Sequence, residues 1–561
     1  MPTHTPLSCN ALTFTWPDGT PCLADLTVSW GTGLHGLIGA NGSGKTTLVR
    51  LLTGELSPTS GTAGTPARTL VLRQDLGLDT AATVGELLGI GPILAALDAV
   101  AAGSVGVAPY EVIGDDWDIA ERARAELDRA GLGDLGLDRA VGTLSGGQAV
   151  RVALAGVRLA RPAALILDEP TNNLDGPARV RLADLLDELR ARIPIVAISH
   201  DRALLETCDS IAELVPAEFT RGNLQVAATI RRFEGGFSAW EAAIEAEQDA
   251  ASRRVRDARS VVDKEKRDRV QQQTKQARDE RRGRTFEQNK RHPRIVMRAE
   301  KRQAERSAAK SREVMADRER AAQEALAEAE EAVRESRDVY LDLPATSVGA
   351  GTTILELRLA PGVRRVASGE EDEAALGTDV EHVIVTGPEH VRLAGANGSG
   401  KTTLLRRVLG VPAEEAPPSA YEVEYRIAEA GYLPQRIELD PGPTVLETVI
   451  RANPVASEQE LRDDLARLLF RRERVFAPVG TLSGGERFRV ALARILLASP
   501  APRLVVLDEP TNNLDMPTVD WLVGALAGFR GALLVVSHDE DFLDRLGVHR
   551  VLDLDALTRR G

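Results

Sequence analysis

The chain has 561 residues, 43% hydrophobic and 27% charged, with a formal net charge of −14. That length exceeds what a single core supports and predicts two or more domains, while the composition excludes a disordered or fibrous chain. Cys9, Cys22 and Cys208 are too widely spaced for a zinc or iron–sulfur ligand set, and no apolar run reaches the roughly 20 residues of a membrane-spanning helix.

In chain order, the N-terminus lacks the basic-then-apolar pattern of a secretory signal, so a cytoplasmic location is expected. The first distinctive element is Gly39-Ala-Asn-Gly-Ser-Gly-Lys-Thr46, which follows the apolar Leu37-Ile38 and precedes the helix-like Thr47 to Leu52. The pattern GxxxxGK[ST] at a strand-to-helix turn predicts a phosphate-binding loop. Gly39, Asn41, Gly42, Ser43 and Gly44 let backbone N–H groups close around phosphate oxygens, with Thr47 in the helix turn whose positive end faces the same anion. Lys45 supplies a compact charge for the outer phosphates and Thr46 a hydroxyl for Mg²⁺, so ATP with Mg²⁺ is the expected cofactor pair.

Leu87 to Ala102 is apolar but Ala-rich and interrupted by Pro92 and Asp98, which predicts a helical subdomain rather than a membrane anchor. Leu165-Ile-Leu-Asp168-Glu169 reads as a buried parallel strand delivering two carboxylates at its end. Asp168 is placed to hold Mg²⁺ and Glu169 to polarise the attacking water.

The middle of the chain changes character. Residues 251–320 contain 24 Lys and Arg against 12 Asp and Glu, which leaves the rest of the chain at −26. Six of the eight lysines lie here, at Lys264, Lys266, Lys275, Lys290, Lys301 and Lys310. Pro-free stretches rich in Ala, Glu, Gln and Arg predict helices over about 241–282 and 298–340, with a turn marked by Gly283 and Pro293. A helix of roughly 40 residues reaches about 60 Å, and a basic hairpin of that reach suits a polyanion better than a plain spacer. Phe286, His292 and the arginines near the tip are suited to stacking on exposed bases.

After this linker the first part recurs. Gly39–Leu48 is repeated without change at Gly395–Leu404, TLSGG at Thr143 returns at Thr481, LDEPTNNLD at Leu167 returns at Leu507, and SHD at Ser199 returns at Ser537. Four motifs in one order mark a duplicated α/β domain. A second phosphate loop is therefore expected from Gly395, Asn397, Gly398, Ser399, Gly400, Lys401, Thr402 and Thr403. Asp508 and Glu509 would repeat the metal and water roles. The expected boundaries are 1–240, 241–342 and 343–561.

Leu144-Ser-Gly-Gly-Gln148 and Leu482-Ser-Gly-Gly-Glu486 resemble the signature of ATP-binding-cassette ATPases. Two cassettes joined by a charged helical hairpin, without a membrane domain, resemble the ABC-F family over both halves of the chain. The resemblance implies two tandem ABC-type P-loop ATPase domains, mixed α/β, joined by a long α-helical hairpin and paired head to tail within one monomer. It places Ser483, Gly484, Gly485 and Glu486 opposite Lys45, and Ser145, Gly146, Gly147 and Gln148 opposite Lys401. It implies that Gln74 and Gln435 sense Mg²⁺ and water and that His200 and His538 sense the γ-phosphate. Trp16 aligns with the family's adenine platform, with core packing as the alternative. The second repeat has no Phe, Tyr or Trp from Ile354 to Val391, and its acidic run Gly369–Glu373 is assigned no function.

For partners, the resemblance implies the ribosome, ribosomal RNA and tRNA, reached by the linker near the peptidyl-transferase region, and no membrane. Two outcomes stay open: a resistance protein that dislodges ribosome-targeting antibiotics, or a translation factor for stalled ribosomes. Arg282-Gly-Arg284 and His292–Val296 resemble linkers of actinobacterial resistance members, which favours the first. A transporter motor and a DNA-associated ATPase are the rivals from other classes.

Overall fold

The computed structural model describes residues 6–72, 81–104, 106–144, 146–172, 174, 176–216, 227–288, 294–331, 341–360, 363–365, 382–395, 399–410, 419–470, 472–512, 514–555 and 557–559. It divides into two compact units, Met1–Phe237 with Arg337–Gly561, and Ser238–Ser336. Gly369–Glu373, His292 and Pro293 lie outside the described residues.

The first repeat is built on strands β1 (Leu7–Thr15), β2 (Pro21–Trp30), β3 (Gly33–Gly39), β4 (Ser60–Gly64), β5 (Thr69–Leu72), β6 (Ala164–Asp168), β7 (Pro194–Ile198), β8 (Ser210–Pro216) and β9 (Ala228–Glu234). They form one sheet in the order β4-β1-β2-β9-β8-β3-β7-β6-β5. Its parallel part is β8-β3-β7-β6-β5, the layer from which both the loop and the acidic strand end emerge. Ala164–Leu167 of β6 and all of β7 are buried, which is why these strands read as unbroken apolar runs rather than alternating ones.

The second repeat comprises β10 (Thr353–Leu359), β11 (Val363–Arg365), β12 (His382–Thr386), β13 (His390–Ala394), β14 (Tyr421–Arg426), β15 (Ala430–Leu433), β16 (Leu504–Asp508), β17 (Ala532–Val536), β18 (Arg550–Asp553) and β19 (Leu557–Arg559). Its parallel sheet runs β15-β16-β17-β13-β18, the order of β5-β6-β7-β3-β8. The duplication legible in the motifs therefore extends to strand order.

Each parallel sheet carries a helical subdomain. In the first repeat Val84, Leu88, Ile119, Ala123 and Leu127 pack with Val152 and Ala155, which gives the apolar stretch after Leu87 a soluble core to join. Among the described residues no helix is long and apolar enough to cross a membrane. In the second repeat Trp521 joins the buried cluster, is 1% exposed and meets Phe488 edge-on at a centroid distance of 6.4 Å. Trp521→Ala empties the middle of that core and is expected to cost about 3–5 kcal/mol. The measurement is chemical denaturation, in which the variant should show an earlier transition.

The unit Ser238–Ser336 holds two long helices, Phe237–Gln288 and Arg294–Glu331. Arg269 Nη1 donates to Glu319 Oε2 at 2.7 Å, and Arg259 lies 3.7 Å from Glu330, so the pair is antiparallel. Among the described residues Ala251, Val262 and Ala322 are its buried apolar positions, a thin seam as expected from the Ala-rich sequence. The first helix runs through Gly283, where the turn is expected to begin, and continues to Gln288. One glycine costs a helix only about 1 kcal/mol, too little to end a run of strong helix formers.

Candidate functional site

Both phosphate loops follow a central parallel strand, β3 or β13, and open an eight-residue helix, Lys45–Leu52 or Lys401–Val408. The residue before each helix, Gly44 or Gly400, has φ of 96° or 98°, a left-handed conformation that makes glycine the suitable residue. Lys45 Nζ donates to the carbonyls of Gly39 at 2.6 Å and Ala40 at 3.3 Å, and Lys401 Nζ to that of Gly395 at 2.6 Å. Both ammonium groups therefore lie over their own loops, where a phosphate would face them.

Strands β6 and β16 end in Asp168 and Asp508, and the next residues, Glu169 and Glu509, are held at φ of 51° and 48°. A non-glycine residue there stores of order 1–3 kcal/mol of strain, which marks a position fixed by its surroundings. The hold is visible: Glu169 N–H donates to Ile198 O and Glu509 N–H to Val536 O, each at 2.8 Å. The histidines follow the ends of β7 and β17, so His200 Nε2 lies 3.4 Å from Glu169 Oε1 and His538 Nε2 lies 3.4 Å from Glu509 Oε1.

Burial dominates the electrostatics. It pushes Glu169 up to about 8 and Glu509 up to about 7, against the pull of Lys45 and Lys401 respectively, and drives His200 down to about 3. Lys45 is also lowered by burial, with Glu169 opposing the shift. A cation brought to these carboxylates favours their ionised form.

In the second repeat a cleft of about 270 Å³ gathers Gly400, Lys401, Thr402, Thr403, Gln435, Asp508, Glu509 and His538, all expected from the sequence. Asn512 and Val536 join them. Tyr432 Oη donates to Asp508 Oδ2 at 3.2 Å. Burial, then the neighbouring Asp508 charge, pushes that phenol up to about 12, so it stays a donor. Of the remaining expected residues, Gln74, Ser145, Asn397 and Gly398 lie outside the described residues. Gly146, Gly147 and Gln148 open the helix Gly146–Ala160. Ser483 and Glu486 form a capping box on the helix Gly484–Leu496, and Arg474 pairs with Glu486 at 2.6 Å. Trp16 packs edge-on against the buried Phe14 at 5.0 Å and is itself half-buried.

The two repeats meet at a residue the motif search passed over. Asp515, at the end of LDEPTNNLD, accepts a 2.7 Å hydrogen bond on Oδ2 from the Asn41 amide, 474 positions away in the first phosphate loop. Its Oδ1 accepts from Thr518 N–H at 3.0 Å and from the Thr518 hydroxyl. A Cβ built on Gly485, in the second signature, would lie 3.5 Å from that hydroxyl oxygen. Asp515 thus ties the first phosphate loop to Thr518, which lies beside the opposite signature. Burial raises the Asp515 carboxyl, but the bonds from Thr518 and Asn41 and the charge of His200 outweigh it and hold the group below its ordinary value. Nearby, Arg202 of the first repeat pairs with Asp520 at 3.1 Å and Asp541 at 3.2 Å of the second. The available signal was the recurrence of the final aspartate, as Asp175 and Asp515, in both copies of the motif.

Asp515→Ala removes a charge-assisted bond of about 1.5–3 kcal/mol across the repeats. The expected result is a rise of roughly tenfold or more in the ATP concentration for half-maximal turnover. Steady-state kinetics with thermal melting as a folding control would check it.

A family model described as ABC transporter matches residues 24–172 and 382–512. The chain is 32% identical over 540 residues to the tylosin resistance ATP-binding protein TlrC of Streptomyces fradiae, covering 91% of this chain and 90% of that protein. It is 31% identical over 527 residues to the ATP-binding protein Uup of Caulobacter vibrioides, covering 91% and 71%. With ATP-binding cassette sub-family F member 3 of Rattus norvegicus it shares 29% over 554 residues, covering 93% and 67%. The solved complex of archaeal ribosomal stalk protein aP1 with the ribosome recycling factor aABCE1 matches at a TM-score of 0.55 and 20% identity, covering 97% of this chain and 87% of that one, a likeness of fold.

Proposed function

The chain belongs to the ABC-F family of ATP-binding-cassette proteins and is an ATPase, and from that premise we propose that ATP-driven pairing of its repeats prepares it to bind the ribosome. In this reading residues 1–240 and 343–561 are the two ATPase domains and 241–342 the ribosome-binding linker, acting from the cytoplasm as a monomer. Each ATP lies between one phosphate loop and the opposite signature: Lys45 with Ser483 to Glu486, Lys401 with Ser145 to Gln148. Backbone N–H groups at both helix starts grip the phosphates. Trp16 is the adenine platform of the first site.

Thr46, Gln74 and Asp168 at one site, and Thr402, Gln435 and Asp508 at the other, are oxygen donors of the kind Mg²⁺ takes. When bound, Mg²⁺ neutralises charge on the β- and γ-phosphate oxygens. Glu169 and Glu509 accept the proton of the attacking water, while His200 and His538 report on the γ-phosphate. Loss of that phosphate removes the charge bridging the repeats and lets them part.

The observation that carries the ribosomal reading is the basic two-helix unit in an otherwise acidic chain, with 24 Lys and Arg in residues 251–320. An acidic ATPase gains nothing from such a segment unless its partner is a polyanion. The full-length similarity to a tylosin resistance protein supports drug protection near the tRNA and peptidyl-transferase region over a housekeeping role on stalled ribosomes. The test is drug susceptibility in cells with and without the gene, across ribosome-targeting classes including tylosin. A raised inhibitory concentration for one class is expected. Unchanged susceptibility with a growth defect on stalling messages would favour the translation-factor reading.

A further inference from the structure

We propose that Tyr432 is a positioning residue of the second nucleotide site, holding the Asp508 carboxylate in the orientation that ligates the divalent cation. The inference rests on the reading of Asp508 as a cation ligand. Tyr432 Oη donates to Asp508 Oδ2 at 3.2 Å, which occupies one carboxylate oxygen and leaves Oδ1 for the cation. Orientation matters here because Asp508 is only 5% exposed, with little water to hold it in place. A hydrogen-bond donor behind a metal ligand fixes its rotation, and its loss typically costs about 10- to 100-fold in metal affinity.

The equivalent position of the first site carries Val71. Tyr432 pairs with Val506 in β16, two residues before Asp508, and Val71 pairs with Ile166 in β6, two residues before Asp168. The positions are equivalent in register, and valine has no donor to offer. The Tyr432 ring packs at the edge of the second repeat's apolar cluster, as a Phe would, but only a hydroxyl there reaches the carboxylate.

Tyr432→Phe keeps the ring and removes the donor, so the fold is retained. In a full-length Lys45→Ala chain, where the first loop is disabled, the readout is the Mg²⁺ concentration for half-maximal retention of a fluorescent, non-hydrolysable ATP analogue. Adding Tyr432→Phe should raise it about tenfold. In a Lys401→Ala chain, which leaves only the first site, the same change should shift nothing. Asp508→Ala in the Lys45→Ala chain separates the two claims. If Asp508→Ala shifts the Mg²⁺ dependence and Tyr432→Phe does not, the positioning role is overturned. If neither shifts it, Asp508 is not a ligand and both readings fall. An equal shift in the Lys401→Ala chain would also overturn the proposal, because Tyr432 bonds to the carboxylate of the second site.

Discussion

Glu169→Gln combined with Glu509→Gln should lower ATP turnover by about 10²- to 10⁴-fold, the usual worth of a general base, while leaving ATP binding intact. The amide keeps the shape of the side chain and cannot take a proton from water. Stability should hold, since burial already drives both carboxyls towards the neutral form that Gln imitates. With hydrolysis blocked, the contacts made through Asp515 and Arg202 persist and the paired state accumulates. Sedimented with ribosomes, this variant should pellet in ATP and stay in the supernatant in ADP. Equal pelleting with the two nucleotides would refute nucleotide-controlled binding.

Replacing Lys264, Lys266, Arg267, Lys275 and Arg278 together with Gln should abolish ribosome pelleting at physiological salt while basal ATP turnover stays intact. All five are exposed on the first linker helix. Arg269 is spared because it pairs with Glu319, which is only 8% exposed, and its loss would loosen the helix pair. If each side chain meets one RNA phosphate, the slope of log affinity against log salt becomes shallower by about 0.7–0.9 per contact removed. Across five contacts, the unaltered chain should lose about two to three orders of magnitude more affinity than the variant between roughly 50 and 200 mM salt. An unchanged slope would place the ribosome contact elsewhere, and unaltered drug susceptibility would sever the linker from the cellular effect.

Much of the nucleotide chemistry was legible because it is local in sequence. Lys45 and Lys401 need only a strand, a glycine turn and a helix in succession, and the glutamates need only the end of an apolar strand. Asp515 was not legible in the same way. An aspartate before the helix Met516–Leu526 reads as an N-cap, which it is through Thr518. Its second role depends on Asn41, far away in the chain, and no periodicity records that pairing. Tyr432 was hidden for a related reason, since an aromatic in a short buried strand reads as packing until its hydroxyl is seen to reach Asp508.

The sequence by itself determined the duplicated α/β plan, the strand-to-helix turns that carry Lys45 and Lys401, the acidic strand ends and the basic helical segment, since each is written in consecutive residues whose spacing matches a backbone period. The tertiary structure decided which repeat's carboxylate reaches which phosphate loop, how far the first linker helix runs past Gly283, and that two near-identical motifs sit in unlike surroundings. Those outcomes depend on contacts between residues remote in the chain. Packing assembles such contacts from many weak contributions, and no single stretch of sequence encodes their sum.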